Sequence, residues 1–239
     1  MKIPRISEID LARIGPLDGE EKLRRLRALK QRRPPHTYNP VRAFVGDILN
    51  LQPALFESGG KYTPWERISE GITKLATSEN ERNFNLAVAA ALYDFGVKQQ
   101  VLSYDKPIAP WSVGYGQSVA YWWNLYTIIE RQPSFIFVDP RLAARLTRDA
   151  RKFVLSIMNE RIRVPDPDFA EARLLVAQFG KQDDGKRFVR LYEASDSDLF
   201  SFDELNDMID ETYRLWIQVL AERADDARRR PTGSTPLGF

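Results

Sequence analysis

The residue pattern of the sequence changes near Gly96, from one typical of helices to one typical of strands. This change constrains the fold more than any other feature. Before that glycine, apolar residues recur at the three- and four-residue spacing of amphipathic helices. After it, three segments are rich in β-branched and aromatic residues and are bounded by proline or glycine, as strands are: 97–104, 118–129 and 133–139. The sequence therefore predicts an α+β protein, in which a helical N-terminal portion is followed by a mixed β-sheet flanked by helices.

Capping boxes mark the beginnings of three predicted helices. In each box a Ser or Asp is followed three residues later by Glu, and the two side chains can satisfy free backbone N–H groups of the first turn. The three boxes are Asp18 with Glu21, Ser78 with Glu81, and Ser201 with Glu204. The second box predicts a helix that ends at Gly96. The third predicts a helix that is followed by a charged tail from Ala221. A further helix is predicted from Asn39, because Pro40 suits its first position.

The second half of the chain predicts a strand pairing that can be checked. Segments 118–129 and 133–139 are joined by three polar residues and should pair antiparallel. The helical pattern at 147–162 should pack on that sheet. Segments 172–179 and 187–194 flank a polar, glycine-containing loop of hairpin length, which predicts a second antiparallel pair.

The stretch RRPPHTYNP, residues 32–40, is the clearest linker, because adjacent prolines disfavour helical backbone. The predicted organisation has four parts. They are a basic helical N-terminal segment with its linker (1–38), a helical subdomain (39–96), an α/β core (97–222) and a disordered basic tail (223–239).

Composition excludes several classes of site. The 239 residues include no cysteine and one histidine, His36, which excludes disulfide scaffolds, cysteine-ligated metals and any site that needs two imidazoles. Glycine-rich phosphate-binding motifs are also missing from the sequence. No apolar run approaches the roughly 20 residues that span a bilayer, and no signal-peptide pattern opens the chain, so we expect a cytoplasmic protein.

Positive charge is concentrated near the N-terminus. Residues 22–33 hold seven basic side chains and no acid, although the net charge of the whole chain is +2. Such a helix can contact phosphates, and this interpretation assigns nucleic-acid binding to Arg24, Arg25, Arg27, Lys30, Arg32 and Arg33. The alternative is a solvated helix face without a ligand.

Two polar signals lie within and at the end of the second and third predicted strands. Asn124 lies inside the segment 118–129, and Asp139-Pro140-Arg141 ends the segment 133–139. With the predicted order α, β, β, β, α, β, β, α, these residues resemble the core of the PD-(D/E)XK restriction-endonuclease-like superfamily, so that 97–222 would be a nuclease-like core. In that superfamily an acid on one strand and an acid-x-Lys unit on the next hold magnesium, because alternate residues of a strand share a face.

The resemblance implies a site with a magnesium cofactor. Asp139 and Asn124 would be its metal ligands, and Arg141 would hold the phosphate, so that all three would be catalytic residues of a magnesium-dependent phosphodiesterase. Asn124 replaces the usual acid and Arg141 the usual lysine, which implies that the catalytic site is degenerate. The alternative is that Asp139 begins a turn after a buried strand.

These observations predict a nucleic-acid binding or processing protein with nucleic acid as its partner. The alternative function is a non-catalytic protein-interaction adaptor or assembly subunit, whose partner is a protein. The two differ in salt dependence, since phosphate contacts weaken steeply with ionic strength and a mainly apolar protein interface does not.

Overall fold

A computed structural model describes residues 3–29, 37–52, 61–193 and 198–229. Its centre is a five-stranded mixed sheet with helices packed on both faces. The predicted α+β class, a helical N-terminal portion followed by a mixed sheet flanked by helices, is therefore confirmed.

Six helices precede the sheet in the described part of the chain. They are α1 (Glu8–Ile14), α2 (Gly19–Ala28), α3 (Asn39–Ala43), α4 (Val45–Ile48), α5 (Trp65–Leu75) and α6 (Glu79–Lys98). Asp18 caps α2 and Ser78 caps α6, each by accepting a bond from the Glu N–H of its capping box. These two helix starts agree with the sequence prediction.

The first half differs from the prediction at three places. The short helix α1 was not predicted, although Ser7 caps it by accepting from the Asp10 N–H. The helix predicted from Asn39 is divided into α3 and α4 at Phe44, whose backbone is not helical. Gly96 does not end α6 but lies inside it, where a Cβ atom would come 3.2 Å from the carbonyl oxygen of Ile48. The glycine permits close packing between α6 and α4.

Seven strands follow α6 in the part of the chain that the structure describes. They are β1 (Leu102–Asp105), β2 (Trp111–Ser112), β3 (Ser118–Val119), β4 (Leu125–Ile129), β5 (Gln132–Val138), β6 (Arg173–Lys181) and β7 (Arg187–Glu193). The main sheet has the order β1-β4-β5-β6-β7, in which only β5 and β6 are parallel, while β2 and β3 form a separate ladder.

Both predicted antiparallel pairs are present. Thr127 of β4 lies opposite Ser134 of β5, and Gly180 of β6 lies opposite Phe188 of β7. The segment 118–129 is not one strand, however. Residues 120–124 separate β3 from β4, because Tyr121 and Trp122 turn into the core as a bend between the two ladders.

The remaining helices complete the layers. Helix α7 (Arg148–Met158) continues into one π-helical turn (Asn159–Arg163), a 3₁₀ turn follows at Pro167–Phe169, and α8 spans Phe202–Arg229. Helix α7 buries the predicted face in the core beside the sheet: Phe153, Val154, Ile157 and Met158. Residues 223–229 of the predicted tail continue α8 as helix, and 230–239 lie outside the described residues.

Side chains that alternate along β5 and β6 build a core on each face of the sheet. Phe135 and Phe137 point to the side of α1, α2, α7 and α8, whereas Ile136 and Val138 point to the side of α3 to α6. Within the described ranges, no helix is long and apolar enough to cross a membrane.

Candidate functional site

Asp139 follows β5 directly, at the end of the sheet, and its side chain has no exposure to solvent. One carboxylate oxygen, Oδ2, accepts hydrogen bonds from the Leu146 N–H at 3.0 Å and from Gln178 Nε2 at 3.1 Å. The other, Oδ1, accepts a longer bond from the Arg141 N–H at 3.4 Å. Asp139 therefore ties the loop 140–146 to β6, as a turn residue does.

The predicted magnesium ligands do not share a position that suits the ion. Asn124 is exposed, and its backbone carbonyl accepts from the N–H of Lys106, whereas both oxygens of Asp139 are engaged by protein N–H groups. Magnesium prefers several oxygen ligands with free lone pairs. The described residues also contain no group of three acidic or histidine side chains that could hold a metal ion. The residues present do not fit the cofactor that the resemblance implied.

Arg141 reaches away from Asp139 toward α1. Its guanidinium contacts the carboxylate of Asp10 at 3.4 Å, and Arg13 contacts the same oxygen at 3.9 Å. Burial, followed by the positive charge of Arg141, lowers the pKa of Arg13 from its ordinary value. Arg141 is thus one part of a charged cluster that joins the loop after β5 to α1.

The predicted nucleic-acid contacts on α2 are engaged by acids of the protein itself. Arg24 and Arg25 both pair with Glu21 on their own helix. Arg27 forms a bidentate pair with Glu222 of α8, with both N–O distances at 2.9 Å. The remaining predicted contacts, Lys30, Arg32 and Arg33, lie outside the described residues. Arg27 is therefore part of a helix–helix contact, whereas Arg24 and Arg25 are exposed side chains paired within α2.

A groove opens beside Asp139 at this end of the sheet. We call it the sheet-end groove; it lies between α1, α3, α6 and the loop after β5, and its volume is about 580 Å³. Its described lining is Ser7, Glu8, Ile9, Thr37, Tyr38, Asn39, Val41, Arg42, Phe84, Val88, Trp123, Val138, Pro140, Arg141, Leu142, Ala143 and Arg187. A concave apolar surface with a few polar groups is the usual form of a binding site.

Glu81 fixes one wall of the sheet-end groove. Its carboxylate accepts bonds from the backbone N–H and hydroxyl of Thr37, and from the same two groups of Thr77. These four bonds lower the pKa of Glu81 to about 2, because they stabilise the ionised form. Asn85, one turn along α6, donates to the Thr37 carbonyl and accepts from the Val41 N–H. The pair holds the start of α3 against α6.

Sequence reasoning found Asp139 and Arg141 but missed the groove. Its lining comes from six separate stretches of the chain, and only the packing of the two helical layers against the sheet brings them together. The capping box marked Glu81 as a residue of a helix start, but nothing in the sequence indicated that its carboxylate would bond to Thr37 and Thr77.

Comparisons with known proteins give one consistent result. The family model described as "Sliding clamp-binding bacterial toxin SocB" matches residues 9–226. The DNA replication inhibitor toxin SocB of Caulobacter vibrioides (strain NA1000 / CB15N) is 32% identical over 235 residues, which are 98% of each chain. None of the solved structures matches the chain.

These matches overturn the resemblance to the PD-(D/E)XK superfamily, and with it the prediction of a nuclease-like, nucleic-acid processing protein. The protein-interaction alternative agrees better with them, and they give no support for a nucleic-acid partner. The family match covers nearly the whole described fold, from α1 to α8. This chain belongs to the SocB family of sliding clamp-binding bacterial toxins.

Proposed function

We propose that this protein is a toxin that binds the bacterial sliding clamp and thereby inhibits DNA replication. The observation that carries the proposal is the end-to-end match to a replication inhibitor toxin, which covers 98% of both chains. An insertion or a missing layer would leave part of either chain unmatched. The proposal therefore concerns the whole fold and not a shared fragment.

The chemistry of the described residues favours inhibition by binding. The acid that sequence reasoning placed in a catalytic site is buried and accepts bonds from protein N–H donors on both oxygens, and the arginines of α2 are paired with Glu21 and Glu222. A protein that acts by occupancy needs neither a metal nor a free nucleophile. It needs an interface of about 1,200–2,000 Å² with a well-packed apolar centre.

Occupancy is enough to explain inhibition. A toxin bound to the clamp covers a surface on which replication proteins act, and the inhibited fraction follows the ratio of free toxin to its dissociation constant. A Kd of about 1 μM corresponds to roughly −8 kcal/mol, which an interface of ordinary size supplies. We expect such a toxin to act in the cytoplasm, where a bacterium replicates its chromosome.

The test in cells is to induce the protein and to follow incorporation of labelled thymidine and labelled amino acids in parallel. DNA synthesis should stop before protein synthesis falls, and simultaneous overproduction of the sliding clamp should delay the arrest. Overproduction of an unrelated DNA-binding protein is the control. The proposal fails if protein synthesis stops first, or if extra clamp makes no difference.

A further inference from the structure

The sheet-end groove has an apolar floor with two exposed apolar lips. Val41, Val88 and Val138 form part of the floor and are almost completely buried. Phe84 and Leu142 stand at the lips, where 39% and 36% of their surface is exposed. Burial of an apolar side chain between them would remove further apolar area from water, which is favourable. The floor therefore suits an aliphatic or aromatic side chain.

The rim of the groove carries an excess of positive charge. Arg42, Arg141 and Arg187 line it, and Glu8 is the one acid among the lining residues described. Arg141 is paired with Asp10 and Glu8 with Arg5, which leaves Arg42 and Arg187. Neither of these two forms an ion pair with an acid in the described ranges.

The two arginines differ in how firmly they are held. Arg187 donates from Nη1 to the carbonyl of Pro140 at 2.8 Å and lies 5.9 Å from the ring centre of Phe84, so its guanidinium is fixed beside the lip. Arg42 is exposed on α3, next to the buried Val41. A guanidinium binds a carboxylate through two parallel hydrogen bonds, which makes carboxylates the matching chemistry.

The charge of the rim determines which kind of segment the groove can bind. A cationic segment would be repelled by Arg42 and Arg187, which line the groove. An acidic segment of another protein would be attracted.

We propose that the sheet-end groove binds an acidic peptide segment of a partner protein. An apolar side chain of the peptide enters the floor between Phe84 and Leu142, and its carboxylates pair with Arg42 and Arg187. This contact goes beyond clamp binding and does not depend on it, because it rests on the groove alone.

The test uses the full-length protein and two synthetic peptides of equal length, DELWED and KKLWKK. Methyl resonances of Val88 and Val138 report on the floor during each titration. DELWED should shift both resonances and KKLWKK should not. The double variant R42E/R187E should weaken DELWED binding by about tenfold or more, because two attractive charges become repulsive.

Matched controls separate the groove from net charge. The variant R67E/R190E changes the net charge by the same amount at exposed positions outside the groove lining, and it should keep the affinity of the parent. The single variant R42E is the control for misfolding, because no hydrogen bond of the Arg42 side chain is found among the described residues. It should weaken DELWED binding and leave the circular dichroism spectrum unchanged.

Four outcomes would overturn the proposal. The first is that the floor methyls do not shift at about 1 mM DELWED, and the second is an equal loss of affinity in the control variant. The third is displacement of DELWED by a single-stranded oligonucleotide that binds more tightly. The fourth is that the floor methyls shift when the protein concentration is raised without peptide. The last two would assign the groove to nucleic acid or to a second copy of the chain.

Discussion

At the scale of single residues, two buried acids organise the end of the sheet. Asp139 collects three N–H donors from the loop after β5 and from β6, and Glu81 collects four donors from Thr37 and Thr77. Both are almost fully removed from solvent. Their hydrogen bonds hold the backbone that surrounds the sheet-end groove. Replacement of either acid should therefore lower the free energy of unfolding.

Replacement of Asp139 by Ala should lower the free energy of unfolding by about 3 kcal/mol, because the Leu146 N–H and Gln178 Nε2 would be left buried without an acceptor. Asp139→Asn keeps one acceptor oxygen and should cost less, about 1 kcal/mol. Urea unfolding followed by tryptophan fluorescence measures both. A loss below about 0.5 kcal/mol in Asp139→Ala would mean that the carboxylate is not a structural turn residue.

Glu81 should make folding stability depend on pH. Its pKa is about 2 in the folded protein and near 4.5 when the chain is unfolded, so its contribution is fully present above about pH 4.5 and is lost as the pH falls toward 2. The Glu81→Gln variant should therefore be less stable than the parent at pH 7, and the difference should shrink through that acidic range. Chemical denaturation at a series of pH values tests this. A difference that stays constant from pH 7 to pH 3 would contradict the assignment.

At the scale of elements, the contact between α2 and α8 explains why a basic helix belongs to the fold. Lys22 is almost fully buried and pairs with Glu211 of α8. Arg223 of α8 donates to the carbonyls of Leu26, Arg27 and Leu29, at and just beyond the C-terminal end of α2. The acids that pair with Lys22 and Arg27, and the donor Arg223, are about 190 residues away in sequence.

The Lys22–Glu211 pair gives an asymmetric prediction. Glu211→Ala should lower the free energy of unfolding by about 3 kcal/mol, because it leaves the Lys22 ammonium buried without a counter-charge. Lys22→Met keeps the apolar stem and leaves the partly exposed Glu211 to water, so it should change stability by less than about 1 kcal/mol. The double variant should recover most of the loss. Equal losses in the two single variants would contradict this account of the contact.

Local signals in the sequence predicted local structure well. Asp18 and Ser78 gave correct helix starts, and the short polar connection before Gln132 gave the β4–β5 hairpin. The predictions that were wrong concern residues whose roles depend on partners that are distant in sequence. Gly96 was assigned as a helix end, although the reason for a glycine there is the Ile48 carbonyl on another helix. The resemblance places Asp139 in a metal site, whereas its bonds to Leu146 and Gln178 agree with the alternative, a turn residue after a buried strand; the identity of these two partners is not visible in the sequence.

At the scale of the whole molecule, one sheet carries two cores. The helices α1, α2, α7 and α8 cover one face and α3 to α6 the other, and the sheet-end groove lies where the two layers meet. Nearly all of this architecture falls within the match to the SocB family.

The most direct test of the central claim is calorimetric titration of the purified full-length protein with the sliding clamp of the bacterium that encodes it. We expect a Kd of about 1 μM or tighter. Raising the salt concentration about fourfold should change that Kd only slightly, because an apolar protein interface releases few counterions, whereas phosphate contacts lose affinity by orders of magnitude. The result that would contradict the account is no measurable binding to the clamp at about 100 μM protein, together with salt-sensitive binding to DNA.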